Sequence, residues 1–150
     1  MADPLSVALA YLNRRERTVA EVRAKLEGAE FGDAEIDLTI TELLELNMLD
    51  DRRYARIFVE DKRTLEQWGT ERISRALNER GIDRELIAEA LAGEPGESEL
   101  TRAVELLGQR FPAPPQEWRD RERAFGVLVR KGYDTEIASD AIRAWSRGYD

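Results

Sequence analysis

An all-α fold of tandem helical units is predicted by three observations. Apolar residues recur at helical spacing along almost the whole chain, strand-type alternation is nearly absent, and one two-helix pattern returns at a fixed interval. The pattern is clearest from Trp68 to Leu91. There Ile73, Ala76, Leu77 and Arg80 lead into Arg80-Gly81-Ile82-Asp83, and Leu86, Ile87, Ala90 and Leu91 follow. Gly81 in a left-handed conformation would close the first helix and bring Ile82 onto Leu77; Asp83 would cap the next helix, with Ile82 stapled to Ile87. A shift of 51 residues lays Ile73, Leu77, Gly81, Ile82, Asp83 and Glu85 on Ala124, Leu128, Gly132, Tyr133, Asp134 and Glu136. The reverse shift reaches Val22, Leu26 and Phe31, after which the first copy departs with Gly32 and Asp33. Three copies of one unit are the simplest reading: residues 1–51, 52–93 and 99–150, with a linker at 92–98.

Taken in order, the first helix begins after Asp3-Pro4, burying Leu5, Ala8, Leu9 and Leu12, with Tyr11 at its edge. Arg14, Arg15 and Arg17 then form a basic cluster of the kind a helix C-terminus favours. Thr18 and Glu21 read as a capping box that opens a short helix with Val22 and Leu26 inward, ended by Gly28 or Gly32. From about Asp33 a third helix carries Ile36, Ile40, Leu43 and Leu44 on one face. Asp50 caps the next, which runs from Asp51 to about Gln67, buries Tyr54, Phe58 and Leu65, and turns Arg52, Arg53, Arg56, Lys62 and Arg63 outward. After the Ala92–Ser98 linker, Ser98 caps a helix with Leu100, Ala103, Val104 and Leu107 inward. The rigid Phe111-Pro-Ala-Pro-Pro115 segment leads to a helix ending at Lys131, and a last helix spans Asp134 to Trp145. Trp68, Trp118 and Trp145 lie near helix ends, where large aromatics fill joints between helices.

Composition limits the chemistry. With no cysteine and no histidine among 150 residues, disulfides, thiolate or imidazole metal sites and Ser-His or Cys-His nucleophile pairs are excluded. No Gly-rich phosphate loop occurs, so the expectation is a non-enzyme with no cofactor, no metal and no catalytic residue. No apolar run approaches 18 residues and no signal-peptide pattern is seen at Met1-Ala2-Asp3-Pro4, which predicts a cytoplasmic chain without membrane contact. The net charge of −8 is uneven: residues 1–51 carry 12 acidic against 5 basic groups, whereas residues 99–150 carry 9 of each. Between Leu26 and Asp51 nine carboxylates face no Lys or Arg. Such a chain is repelled by free nucleic acid unless its cations are gathered on one face.

Two surface readings follow. One is a helix-turn-helix DNA-binding regulator with the helix from Asp83 in the groove, although Glu85 and Glu89 point against it. The other is a protein-binding array with basic patches and an acidic end, expected as a monomer.

The chain also resembles the RecX regulatory proteins. The resemblance rests on Ala8-Leu9-Ala10-Tyr11-Leu12 with Arg15, Thr18, Glu21 and Leu26; on Leu49-Asp50-Asp51 with Tyr54-Ala55; on Gly69, Arg72-Ile73, Leu77, Arg80-Gly81-Ile82 and Ile87; and on Gly132-Tyr133 and Ile137. It covers nearly the whole chain and implies three tandem three-helix repeats in an elongated, curved array. It further implies binding in the groove of the RecA recombinase filament on single-stranded DNA, restraining ATP hydrolysis, strand exchange and filament growth in recombination and repair. Two features depart from the family: the acidic balance, and Glu66-Gln67-Trp68 before Gly69. Direct contact with single-stranded DNA is therefore expected to be weak or indirect. The expected partner contacts are Arg14, Arg15, Arg17, Arg53, Arg56, Lys62, Arg63, Arg72 and Arg75, led by Arg72, which matches the family motif and is predicted to face outward.

Overall fold

The computed structural model describes residues 2–93 and 96–148, the side chains of 96–98 and 148 excepted. Among them it has nine helices and no strand: α1 Pro4–Arg14, α2 Val19–Gly28, α3 Asp33–Glu45, α4 Asp51–Thr64, α5 Thr70–Glu79, α6 Arg84–Leu91, α7 Gly96–Arg110, α8 Trp118–Lys131 and α9 Thr135–Gly148. None is long and apolar enough to cross a membrane. Most of the expected linker lies outside the described side chains, and α7 begins at Gly96, two residues before the cap expected at Ser98.

Helix starts follow the local chemistry. Asp3 accepts the Ser6 N–H at 2.7 Å ahead of Pro4, and Thr18 and Glu21 form the reciprocal capping box. Asp50 accepts from Arg53 N–H at 3.0 Å and Asp134 from Ile137 N–H at 2.8 Å. Helix ends share one geometry. Phe31, Ile82 and Tyr133 donate their N–H groups to the carbonyls of Leu26, Leu77 and Leu128, at 3.2, 3.1 and 3.0 Å. The residue before each donor is left-handed: Glu30 at φ 67°, Gly81 at 79°, Gly132 at 103°. This is one Schellman-type cap met at intervals of 51 residues. In the first cap a glutamate occupies the position that glycine holds in the other two, which is why the sequence match weakens there.

Two compact units divide the chain. One holds the residues up to Ile57 together with Leu77–Ala90; the other holds Phe58–Ala76 and the chain from Leu91 onward, so the boundaries fall within α4, within α5 and at the last residue of α6. In the first unit, Ala8, Val22, Leu26, Ile36, Ile40, Leu43 and Leu49 form the core of α1, α2 and α3. Fully burying a leucine such as Leu26 contributes about 1.5–3 kcal/mol. Leu44, expected inside, is instead 43% exposed, and Thr39 takes its place, its hydroxyl bonded to the Glu35 carbonyl. In the second unit, Ala103, Leu106, Leu107, Ala124, Leu128, Tyr133, Ala138, Ala141, Ile142 and Trp145 form the core of α7, α8 and α9. Trp145 lies 5.7 Å from Phe111, ring centre to ring centre, so this tryptophan does fill a joint. Trp118 does not: at the first position of α8 it is 76% exposed. Leu65 is likewise outside, because α4 stops at Thr64 and the chain turns there.

Each unit contains a joint in which the start of a short helix is bonded to the end of another. In the first, buried Thr18 donates its hydroxyl to the Arg80 carbonyl at 2.7 Å, and Val19 N–H donates to Asp51 Oδ1 at 2.9 Å. In the second, Gly69 N–H donates to the Lys131 carbonyl at 2.8 Å, Glu71 N–H to the Gly132 carbonyl at 3.0 Å, and Thr70 N–H to Glu99 Oε1 at 2.9 Å. Positions 18, 19 and 80 become 69, 70 and 131 on the 51-residue shift, so the joint recurs with different donors. Tyr133 adds a hydroxyl bond to the Gln67 carbonyl at 2.9 Å.

Asp51 pays for its capping role with lost hydration. Burial pushes its carboxyl above the usual carboxylate value; the Val19 N–H opposes this, and Asp50, Glu21 and Asp83 add to the rise. The folded state therefore holds that proton more tightly than the unfolded chain. The group's penalty is full above the raised pKa and disappears as pH falls through it towards the ordinary value. Asp51→Asn keeps an oxygen for Val19 and removes the charge. Chemical denaturation is expected to show it at least as stable as the parent at pH 7, with the advantage fading at acidic pH; a clear loss at pH 7 would show that the charge itself holds α2.

Candidate partner-binding surface

The nine cations expected to meet a partner fall into different environments. In the first unit Arg14, at the end of α1, and Arg56, on α4, are exposed. Arg15 is exposed and lies 3.8 Å from the Glu21 carboxylate. Arg53 is only partly accessible, donating to the Asn47 carbonyl at 3.1 Å with Glu16 at 3.6 Å, so it braces the chain that enters α4. Arg17 corrects the expectation outright. It is buried, its guanidinium 3.8 Å above the Tyr11 ring, because the extended turn after α1 folds it back onto that ring.

In the second unit Arg75 is exposed on α5. Lys62 and Arg72 converge on one aromatic: the ammonium is 4.7 Å and the guanidinium 4.0 Å from the centre of Trp68. Arg72 is half-buried rather than outward. It also donates to the Arg130 carbonyl at 3.3 Å, and its Cβ lies where any side chain on Gly132 would sit, 2.3 Å away. Its motif position is thus explained by the joint. Arg63 donates to the Leu91 carbonyl at 3.3 Å, and burial lowers its guanidinium pKa, so it too is structural in place.

The helix-turn-helix reading loses support at α6. This eight-residue helix exposes Glu85 and Glu89, and Glu89 is tied to Arg52 at 2.6 Å. A groove lined with phosphates disfavours such a face.

Sequence reasoning missed a third group of cations. Arg119, Arg123 and Arg130 are exposed on α8 and, with Arg110 at the end of α7, line one concavity. Their spacing of four and seven residues places the α8 three on one helical stripe, a signal present in the sequence but masked by the even charge balance of that region.

Helices joined by tight caps, with guanidiniums either displayed or seated on aromatics and carbonyls, define an all-helical protein of three-helix units. Comparison with known proteins agrees. Residues 5–43 match the family model of the RecX first three-helix domain and residues 50–91 that of the RecX second three-helix domain. The chain is 32% identical to the regulatory protein RecX of Thermus thermophilus over 95% of its length and 92% of the relative's. It is 31% identical to the regulatory protein RecX of Clostridium beijerinckii, of which it spans 65%. The crystal structure of RecX from Lactobacillus salivarius superposes with a TM-score of 0.81 at 25% identity, covering 95% of this chain and 94% of that one. The chain belongs to the RecX family.

Proposed function

We propose that this protein is a non-enzymatic modulator of the RecA recombinase, binding the filament on single-stranded DNA and restraining ATP hydrolysis, strand exchange and filament growth. The observation that carries the reading is membership of a family of regulatory proteins along almost the full chain, with relatives matched over nine-tenths of their own length. The surface supports it in kind. Arg14, Arg56 and Arg75 are exposed cations whose side chains are not engaged in the joints, and so are available to acidic groups of a protein partner. Free DNA is a poorer partner for a chain of net charge −8.

RecA ATP hydrolysis on single-stranded DNA, measured with the protein titrated in, tests the reading. The parent is expected to inhibit. Arg14→Glu/Arg56→Glu/Arg75→Glu is expected to require at least about tenfold more protein for the same inhibition, corresponding to about 1.4 kcal/mol. Its circular dichroism and melting curve should match the parent's, since none of the three residues holds a joint. Full inhibition by the folded triple variant would remove these cations from the interface, and absence of inhibition by the parent would end the reading.

A further inference from the structure

The concavity between the end of α7 and one face of α8 has a volume of about 480 Å³ and is lined by Arg110, Phe111, Arg119, Glu122, Arg123, Gly126, Val127 and Arg130. Its charged lining is four arginines and one glutamate. Among the described residues none of the four arginines has a carboxylate within ion-pair distance, whereas Arg15, Arg23, Arg52, Arg53 and Arg143 do. Like charges gathered around a hollow repel one another unless an anion joins them. The floor is Gly126, in the middle of α8, where glycine costs helix stability. A Cβ there would lie 3.0 Å from the Arg130 guanidinium, so the glycine lets that group fold back across the floor. Arg123 lies 5.7 Å from the Phe111 ring centre, which gives the wall an aromatic face beside the charges.

We propose that this hollow is a binding site for a compact polyphosphate anion, the phosphate tail of a nucleoside di- or triphosphate. The charge excess over Glu122 matches the three to four negative charges of such a tail, and planar guanidiniums meet phosphate oxygens in pairs. The volume lies within the range of small-ligand sites, and Phe111 offers a surface for a base. An extended strand is a poorer fit. It would carry its charge beyond the pocket and into the field of a net-acidic chain, whereas a compact anion is held within about one Debye length of the arginines.

Isothermal titration of the full chain with ATP, pyrophosphate and a twelve-residue oligothymidylate at 150 mM salt tests this with no recombinase present, so its outcome is separate from the RecA reading. Saturable binding of ATP and of pyrophosphate is expected, with ATP the tighter. Arg119→Ala/Arg123→Ala should weaken both at least tenfold, and Arg84→Ala, on α6, should leave them unchanged. Gly126→Ala should leave the melting temperature equal or higher while weakening ATP binding, a combination that a purely structural glycine would not give. No saturable binding of ATP at millimolar concentration overturns the site. So does binding that survives both arginine substitutions, or binding of the oligonucleotide alone.

Discussion

Gly69→Ala is expected to destabilise the second unit by about 2–3 kcal/mol, at the upper end of what an overpacked contact costs. The reason is backbone, not conformation. A Cβ on Gly69 would lie 2.4 Å from both the carbonyl carbon and oxygen of Gly132 and 2.5 Å from the Tyr133 nitrogen. No rotamer relieves that clash; the chains must separate. Separation would stretch the Gly69 N–H bond to Lys131 and the Glu71 N–H bond to Gly132, both of which close the joint. Urea denaturation should report the loss, and fluorescence of Trp68, next to the substituted position, should report it locally. Parent-like stability would mean that the backbones can part at little cost.

Thr18→Val should cost about 2 kcal/mol in the first unit, by a different route. The hydroxyl is fully buried and does two things, accepting from Glu21 N–H at 3.1 Å and donating to the Arg80 carbonyl at 2.7 Å. Valine keeps the shape and removes both bonds, so the loss combines a missing helix cap with the loss of the hydroxyl's bond to the Arg80 carbonyl across the joint. Thr18→Ser retains the hydroxyl and should recover most of the stability. Equal loss in the serine and valine variants would assign the effect to the missing methyl group rather than to the bonds.

These joints also mark how far the sequence could be read. Helix positions, caps and the 51-residue recurrence were legible because each is local: a capping box lies within four residues, and Gly81 with Ile82 and Leu77 within six. The joints were not, because Thr18 and Arg80 are 62 residues apart and nothing in either neighbourhood names the other. The same limit explains the surface. Arg17 and Arg72 have the look of solvent-facing cations, yet one lies on Tyr11 and the other on Trp68, since an arginine stem is long enough to reach any aromatic that the fold delivers. Trp118 erred the other way. Proximity to a helix end placed it in a joint, but at the first position of α8 it is exposed, and the aromatic joint of this unit is made by Trp145 and Phe111.

The unit boundaries impose an order on synthesis. The first unit needs Leu77–Ala90, which supplies Arg80 to Thr18 and buries Ile82 and Ile87. At roughly 5–20 residues per second a ribosome leaves the first 57 residues waiting a few seconds for that segment. During the wait Phe58–Ala76, which belongs with the C-terminal helices, is already made and has no partner of its own. A nascent chain with residues up to 76 exposed should therefore be cleaved readily beyond Ile57, and its α1–α3 core should be less protected than in the full chain. One whose residues have emerged to position 91 should protect its N-terminal helices while α4 beyond Ile57 remains open to cleavage.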